Sequence, residues 1–193
     1  MMLTMKNESI ELLKDDEVIS RMRAENSTKY FEILYNRYHH KVLDKCYSLV
    51  RNRSLAEELA AEVFSKAFEK LPSFRQLSSF SSWLYSITYN HCIDYLREKK
   101  NLHYPKWTSE NTIPEIIDET EEPIEDFNYE NLLLILDLIH AEEKALLLMK
   151  YQDDLSLKQI GSALRISEDA VKMRLKRART RVIYLYLQKY SNR

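Results

Sequence analysis

Glycine is nearly absent from this chain, with one in 193 residues, and it is accompanied by only four prolines, two cysteines and two tryptophans. A single glycine cannot build a phosphate-cradling loop, whose backbone needs several positions without a side chain, and nothing resembles a nucleophile elbow. Scarce glycine and proline also leave few breaks, so composition favours helix throughout. Cys46 and Cys92 are too few and too far apart for a metal knuckle or a disulfide framework, and are expected to fill core space as free thiols. His39, His40, His91, His103 and His140 show no zinc-type spacing, so neither a metal nor a cofactor is expected. No uninterrupted apolar run is long enough to cross a membrane, and the opening "MMLTMKNESIELLKDDE" turns acidic at once, unlike a signal peptide. The expectation is a cytoplasmic protein without membrane insertion. Carboxylates are plentiful, but acid–base chemistry needs a shaped pocket around them, and no catalytic residues are expected.

What the chain does contain is a cationic stripe. "SEDAVKMRLKRARTR", residues 167–181, sets Lys172, Arg174, Lys176, Arg177, Arg179 and Arg181 close together in a chain of net charge −1. Val171, Leu175, Ala178 and Val182 recur at the spacing of one apolar helix face, with the cations around the rest of the circumference. Ser167 stands at the N-cap position, and Glu168 and Asp169 oppose the positive end of the helix dipole. Upstream, Ser156 and Gln159 form an S-x-x-Q capping box that opens "SLKQIGSAL", whose apolar face is Leu157, Ile160, Ala163 and Leu164. Only Arg165 and Ile166 separate the two helices. They must cross steeply, and Gly161 is where the second can approach the first closely. The pattern is a helix-turn-helix, a unit whose second helix lies in the major groove of DNA.

Charge also marks the domain organisation. Glu110, Glu115, Asp118, Glu119, Glu121, Glu122, Glu125, Asp126 and Glu130, with Pro114 and Pro123, follow one another without a lysine or arginine. That is the composition of a linker. The fold expected is all-α: a helical bundle over 1–100, an acidic flexible linker over 101–127, and a helix-turn-helix domain over 128–193. In the first block a helix from about Thr28 to Val50 carries Phe31, Leu34, Tyr35, Tyr38, Val42 and Leu49 on one face. Ser54 and Glu57 suggest a capping box for the next helix, which Pro72 ends. A serine-rich loop, "SFRQLSSFSS", leads to a third long helix near Trp83, giving a compact bundle.

The ordered set "FEILYNRYHHKV", "AEELAAEVFSKAFEKLPSFR", "SSFSSWLYSITYNHCIDYLREKK" and the terminal "RLKRARTR" resembles a bacterial RNA polymerase sigma factor of the small, two-domain extracytoplasmic-function group of the sigma-70 family. The resemblance covers roughly residues 29–100 and 130–185. It implies that Glu57, Glu58 and Glu62 contact core RNA polymerase. It implies a pocket of Phe74, Ser79, Ile87 and Asn90, with Trp83 aiding strand opening, that captures a flipped base of the minus-ten promoter element. For the minus-thirty-five duplex it implies base-facing Lys172, Met173, Lys176 and Arg177, phosphate contacts from Arg174 and Arg179, and a phosphate held at Ser156. Core polymerase, promoter DNA and an anti-sigma factor are the partners it implies. Three positions depart from the family pattern: Ala61 for a usual glutamine, Arg165 for a frequent glycine in the turn, and His140 for a common proline. Read without the resemblance, the residues also fit a stand-alone helix-turn-helix regulator whose N-terminal bundle senses or dimerises. A purely protein-binding helical adaptor fits the cationic helix less well.

Overall fold

The structure, a computed structural model, describes residues 13–25, 27–99 and 128–190. The linker expected over 101–127 lies outside them. All regular elements among the described residues are helical. They fall into two compact units, Met1–Cys92 and Ile93–Arg193.

The first unit is built on α1 (Asp15–Glu25), α2 (Lys29–Val50), α3 (Arg53–Lys70) and the first part of α4 (Phe80–Lys99). Helix α1 is an element the sequence pattern did not single out. Its apolar content is small, but Val18 and Ile19 are completely buried. Its register is fixed by polar contacts, with Arg37 Nη1 2.7 Å from Asp15 Oδ1 and the Tyr38 hydroxyl donating to the same carboxylate. Helices α2 and α3 pack along their lengths through Leu34, Val42, Leu59, Val63 and Ala67. The cap of α3 is Asn52, whose Oδ1 accepts from the Leu55 amide at 2.9 Å, so Ser54 falls inside the helix and not before it. After α3 the chain tightens into a 3₁₀ turn, Leu71–Ser73, with Pro72 inside it. Helix α4 begins at Phe80, three residues before Trp83, because Ser79 supplies the cap: its Oγ accepts from the Ser82 amide at 3.2 Å. Cys46 and Cys92 are both fully buried free thiols.

The second unit contains α5 (Tyr129–Leu136), α6 (Ala141–Leu147), α7 (Leu157–Leu164) and α8 (Glu168–Tyr190). Helix α6 widens into a π-helical turn, Leu148–Gln152, before the chain reverses through Asp154 at φ 53°. His140, at the family's proline position, caps α6 by accepting from the Glu142 amide at 3.2 Å on Nδ1. The core of this unit is Ile135, Leu146, Met149, Leu155, Ile160, Val171 and Ala178. Helix α8 is its spine, touching α5, α6 and α7. Near its far end the Tyr186 hydroxyl accepts from the Asn128 amide at 2.9 Å, tying the start of α5 to it.

Candidate nucleic-acid and polymerase interfaces

The helix-turn-helix is assembled as the spacing predicts. Ser156 Oγ accepts from the Gln159 amide at 3.2 Å while Gln159 Oε1 accepts from the Ser156 amide at 2.8 Å, completing the capping box. Helix α7 stops because Arg165 turns left-handed, at φ 57°, and the Arg165 and Ile166 amides both donate to the Gly161 carbonyl. Ser167 Oγ then accepts from the Ala170 amide at 3.2 Å and α8 begins. A Cβ at Gly161 would lie 2.7 Å from the Ile166 carbonyl oxygen, which is the physical reason for the chain's one glycine. At the turn is a shallow groove of about 360 Å³ lined by Lys158, Ser162, Arg165 and Ser167 among others.

The cations of α8 divide into two groups. Lys172, Lys176 and Arg179 are exposed, beside the uncharged Met173 at 51%, and Arg177 is half-buried. Arg174 and Arg181 instead point at carboxylates in the first turn of α6. Arg174 Nη1 lies 3.1 Å from Glu142 Oε2, and Arg181 Nε lies 3.4 Å from Glu143 Oε1. Glu142 and Glu143 are 1% and 0% exposed. Burial raises the Glu143 carboxyl above the usual carboxylate range, against the opposing pull of Arg181. The sequence reading missed this pair of acids. The signal available was two adjacent carboxylates opening a short helix ahead of a strongly cationic one.

In the first unit, Trp83, Ile87 and Asn90 stand at four- and seven-residue spacings along α4, and all three are half-buried. Phe74 is not open for stacking from solution: it is 4% exposed, its ring centroid 4.8 Å from that of Trp83 and 6.1 Å from that of Phe80. Arg23 of α1 holds this corner by donating from Nη2 to the Leu71 carbonyl at 3.2 Å and to the Phe74 carbonyl. Nothing local in the sequence marks Arg23, since its partners lie some fifty positions away. Beyond Phe74 the loop passes through Gln76 at φ 54° and presents Leu77 at 89% exposure. Ser79, exposed, is held by Ser81 and Ser82 hydroxyls at 3.0 and 2.8 Å.

The three acidic candidates on α3 have different surroundings. Glu57 is joined to Arg53 at 2.9 Å on its own helix. Glu58 is exposed with no ion pair among the described residues, and Glu62 Oε2 lies 2.6 Å from His91 Nε2 of α4. His91 Nδ1 in turn lies 2.7 Å from Lys66 Nζ. Among the described residues no group of His, Cys, Asp or Glu is placed to hold a metal, and no helix is long and apolar enough to span a membrane.

Comparison with known proteins matches residues 34–101 to Sigma-70 region 2 and residues 129–182 to Sigma-70 region 4. The ECF RNA polymerase sigma factor SigW of Bacillus subtilis (strain 168) is 31% identical over 157 residues, covering 74% of this chain and 81% of SigW. SigX of the same organism is 23% identical over 147 residues, covering 74% of this chain and 76% of SigX. Among solved structures, the sigma factor RpoE of Bartonella quintana, crystallised with the anti-sigma factor NepR, superposes with a TM-score of 0.56 at 17% identity. That match spans 82% of this chain and 98% of RpoE, and it speaks for the fold. Regions 2 and 4 are parts of a regulatory, DNA-binding polymerase subunit and not of an enzyme. With both regions present in order, on helices that form a bundle and a helix-turn-helix, the chain belongs to the extracytoplasmic-function group of sigma-70 RNA polymerase sigma factors.

Proposed function

We propose that this sigma factor directs core RNA polymerase to promoters carrying two elements, reading one as duplex and the other as an opened strand. The observation that carries the reading is the helix-turn-helix with a closely seated α8, whose outward face holds Lys172, Met173, Lys176 and Arg179. A helix so placed fits the major groove, where Lys176 and the half-buried Arg177 meet base edges and Arg179 meets phosphate. Met173 offers no hydrogen bond and suits a thymine methyl. The groove at the turn, with Lys158, Arg165 and the start of α8, suits the neighbouring phosphates, and the Ser156 helix start suits another. Arg174 contributes by holding α8 on α6 through Glu142.

On the first unit, the loop from Phe74 to Ser79 and the Trp83, Ile87, Asn90 face of α4 form the capture site for an unstacked base of the minus-ten element. Phe74 serves as its floor, packed on Trp83, and Asn90 offers polar atoms to a base edge. Glu58 and Glu62, with Glu57 beside them, form the face that meets a cationic surface of core polymerase. The protein works in the cytoplasm. A co-crystallised anti-sigma factor on the Bartonella relative supports an anti-sigma partner here as well.

The test is reconstitution. Purified chain added to core polymerase should produce initiation that depends on a promoter with both elements. DNA binding that is independent of core polymerase, with no promoter-dependent initiation, would favour a stand-alone regulator.

A further inference from the structure

The contact between α3 and α4 assigns a task to a histidine that no sequence motif marks. Glu58, Glu62 and Lys66 follow one another at four-residue spacing along α3. On an isolated helix Glu62 and Lys66 are placed to pair directly, since a glutamate four residues before a lysine is the favourable order. Here they do not form an ion pair with each other. His91, 9% exposed on α4, stands between them, with Nδ1 2.7 Å from Lys66 Nζ and Nε2 2.6 Å from Glu62 Oε2.

The donor inventory fixes the arrangement. A lysine ammonium only donates, so His91 Nδ1 accepts, and the ring proton sits on Nε2, from which it donates to the Glu62 carboxylate. The imidazole therefore occupies Lys66 on one side and aims Glu62 on the other, while the Glu62 side chain stays 50% exposed. We propose that His91 is a positioning residue for polymerase docking: it keeps Lys66 from neutralising Glu62 and so leaves that carboxylate available to a cation of core polymerase. This rests on the docking role given to Glu62 above.

The experiment measures affinity for core polymerase with the full chain at physiological salt, together with melting temperature. The variants are Glu62→Ala, His91→Leu, His91→Gln, Lys66→Met and the double variant His91→Leu with Lys66→Met. Leucine fills the space of the ring without polar atoms, whereas glutamine keeps a donor and an acceptor at similar reach. Glu62→Ala and His91→Leu should each weaken binding about three- to tenfold, the scale of one charge-assisted hydrogen bond across an interface. His91→Gln should bind within about twofold of the parent, and adding Lys66→Met to His91→Leu should restore binding to the level of Lys66→Met alone. Purely structural support from His91 would not be rescued by removing a lysine. If the double variant stays as weak as His91→Leu, or if glutamine is as damaging as leucine at unchanged melting temperature, the positioning role is overturned while the docking face stands. If Glu62→Ala binds core polymerase as tightly as the parent, the docking role of Glu62 itself falls, and the proposal with it.

Discussion

At Gly161 an added methyl group meets the backbone carbonyl of Ile166 at 2.7 Å, a contact that no side-chain rotation relieves. Alanine inside a helix gains about 1 kcal/mol over glycine. Here the clash should outweigh that gain, and Gly161→Ala is expected to destabilise the C-terminal unit by about 1–3 kcal/mol in denaturant unfolding. Arg165, four residues on, presents the opposite case. Its φ of 57° strains any side chain, so Arg165→Gly should stabilise the unit by about 0.5–1 kcal/mol in the same measurement. The chain thus carries a glycine where one is required by space and an arginine where one is favoured by backbone angle. The same scale explains the thiols. Cys92 is pushed well above the usual thiol range by its contact with the Cys46 thiol and by burial, so Cys92 is not primed as a nucleophile.

Helix α8 cannot be understood from its own sequence, because its charges look alike until α6 is laid beside it. Arg174→Ala should lower the melting temperature of the C-terminal unit, since it leaves the buried Glu142 without this partner. Arg179→Ala should leave melting unchanged and weaken all promoters alike, reducing the salt slope of DNA binding by roughly one counterion. Arg177→Ala should cost about 1–3 kcal/mol at one base position of the minus-thirty-five element, measured on single-base variants with holoenzyme. Glu143 adds a pH dependence. A carboxyl raised by burial binds its proton more tightly folded than unfolded, so stability rises as pH falls through the folded value toward the ordinary carboxylate range. Glu143→Gln, which imitates the protonated acid, should therefore be the more stable form at pH 7, with the advantage disappearing on acidification; a constant difference across that window would refute the account. These elements also show what was legible beforehand. The capping box at Ser156, the Ser167 cap and the apolar face of α8 are local patterns, and spacing alone located them. Helix α1, the Arg23 clamp on the loop corner and the acids that claim Arg174 and Arg181 depend on contacts between distant segments, which no local period encodes. Asn52 takes the cap of α3 in place of Ser54 because the helix already includes Ser54, and the Asn52 side chain accepts from the Leu55 amide three residues on.

For the whole molecule, docking, duplex reading and strand capture are proposed to sit on different surfaces, so their defects should separate in a holoenzyme assay. Glu58→Lys should weaken core polymerase binding on every promoter, because reversed charge on an exposed face opposes a cationic partner without disturbing the fold. The capture site should behave otherwise, and within it Asn90 and Phe74 should part company. Phe74 is buried against Trp83 and Phe80, so Phe74→Ala removes core packing worth about 3–5 kcal/mol and should lower the melting temperature along with every later step. Asn90 is half-buried, so Asn90→Ala removes less packing than Phe74→Ala and should spare closed-complex formation. Its effect should appear only when the duplex opens, since an unstacked base exists only then. Permanganate reactivity of thymines in the minus-ten region, measured beside duplex binding by the same holoenzyme, distinguishes the two. Lost reactivity with unchanged duplex binding places Asn90 at the opened strand, whereas equal loss of both would return it to the framework of α4.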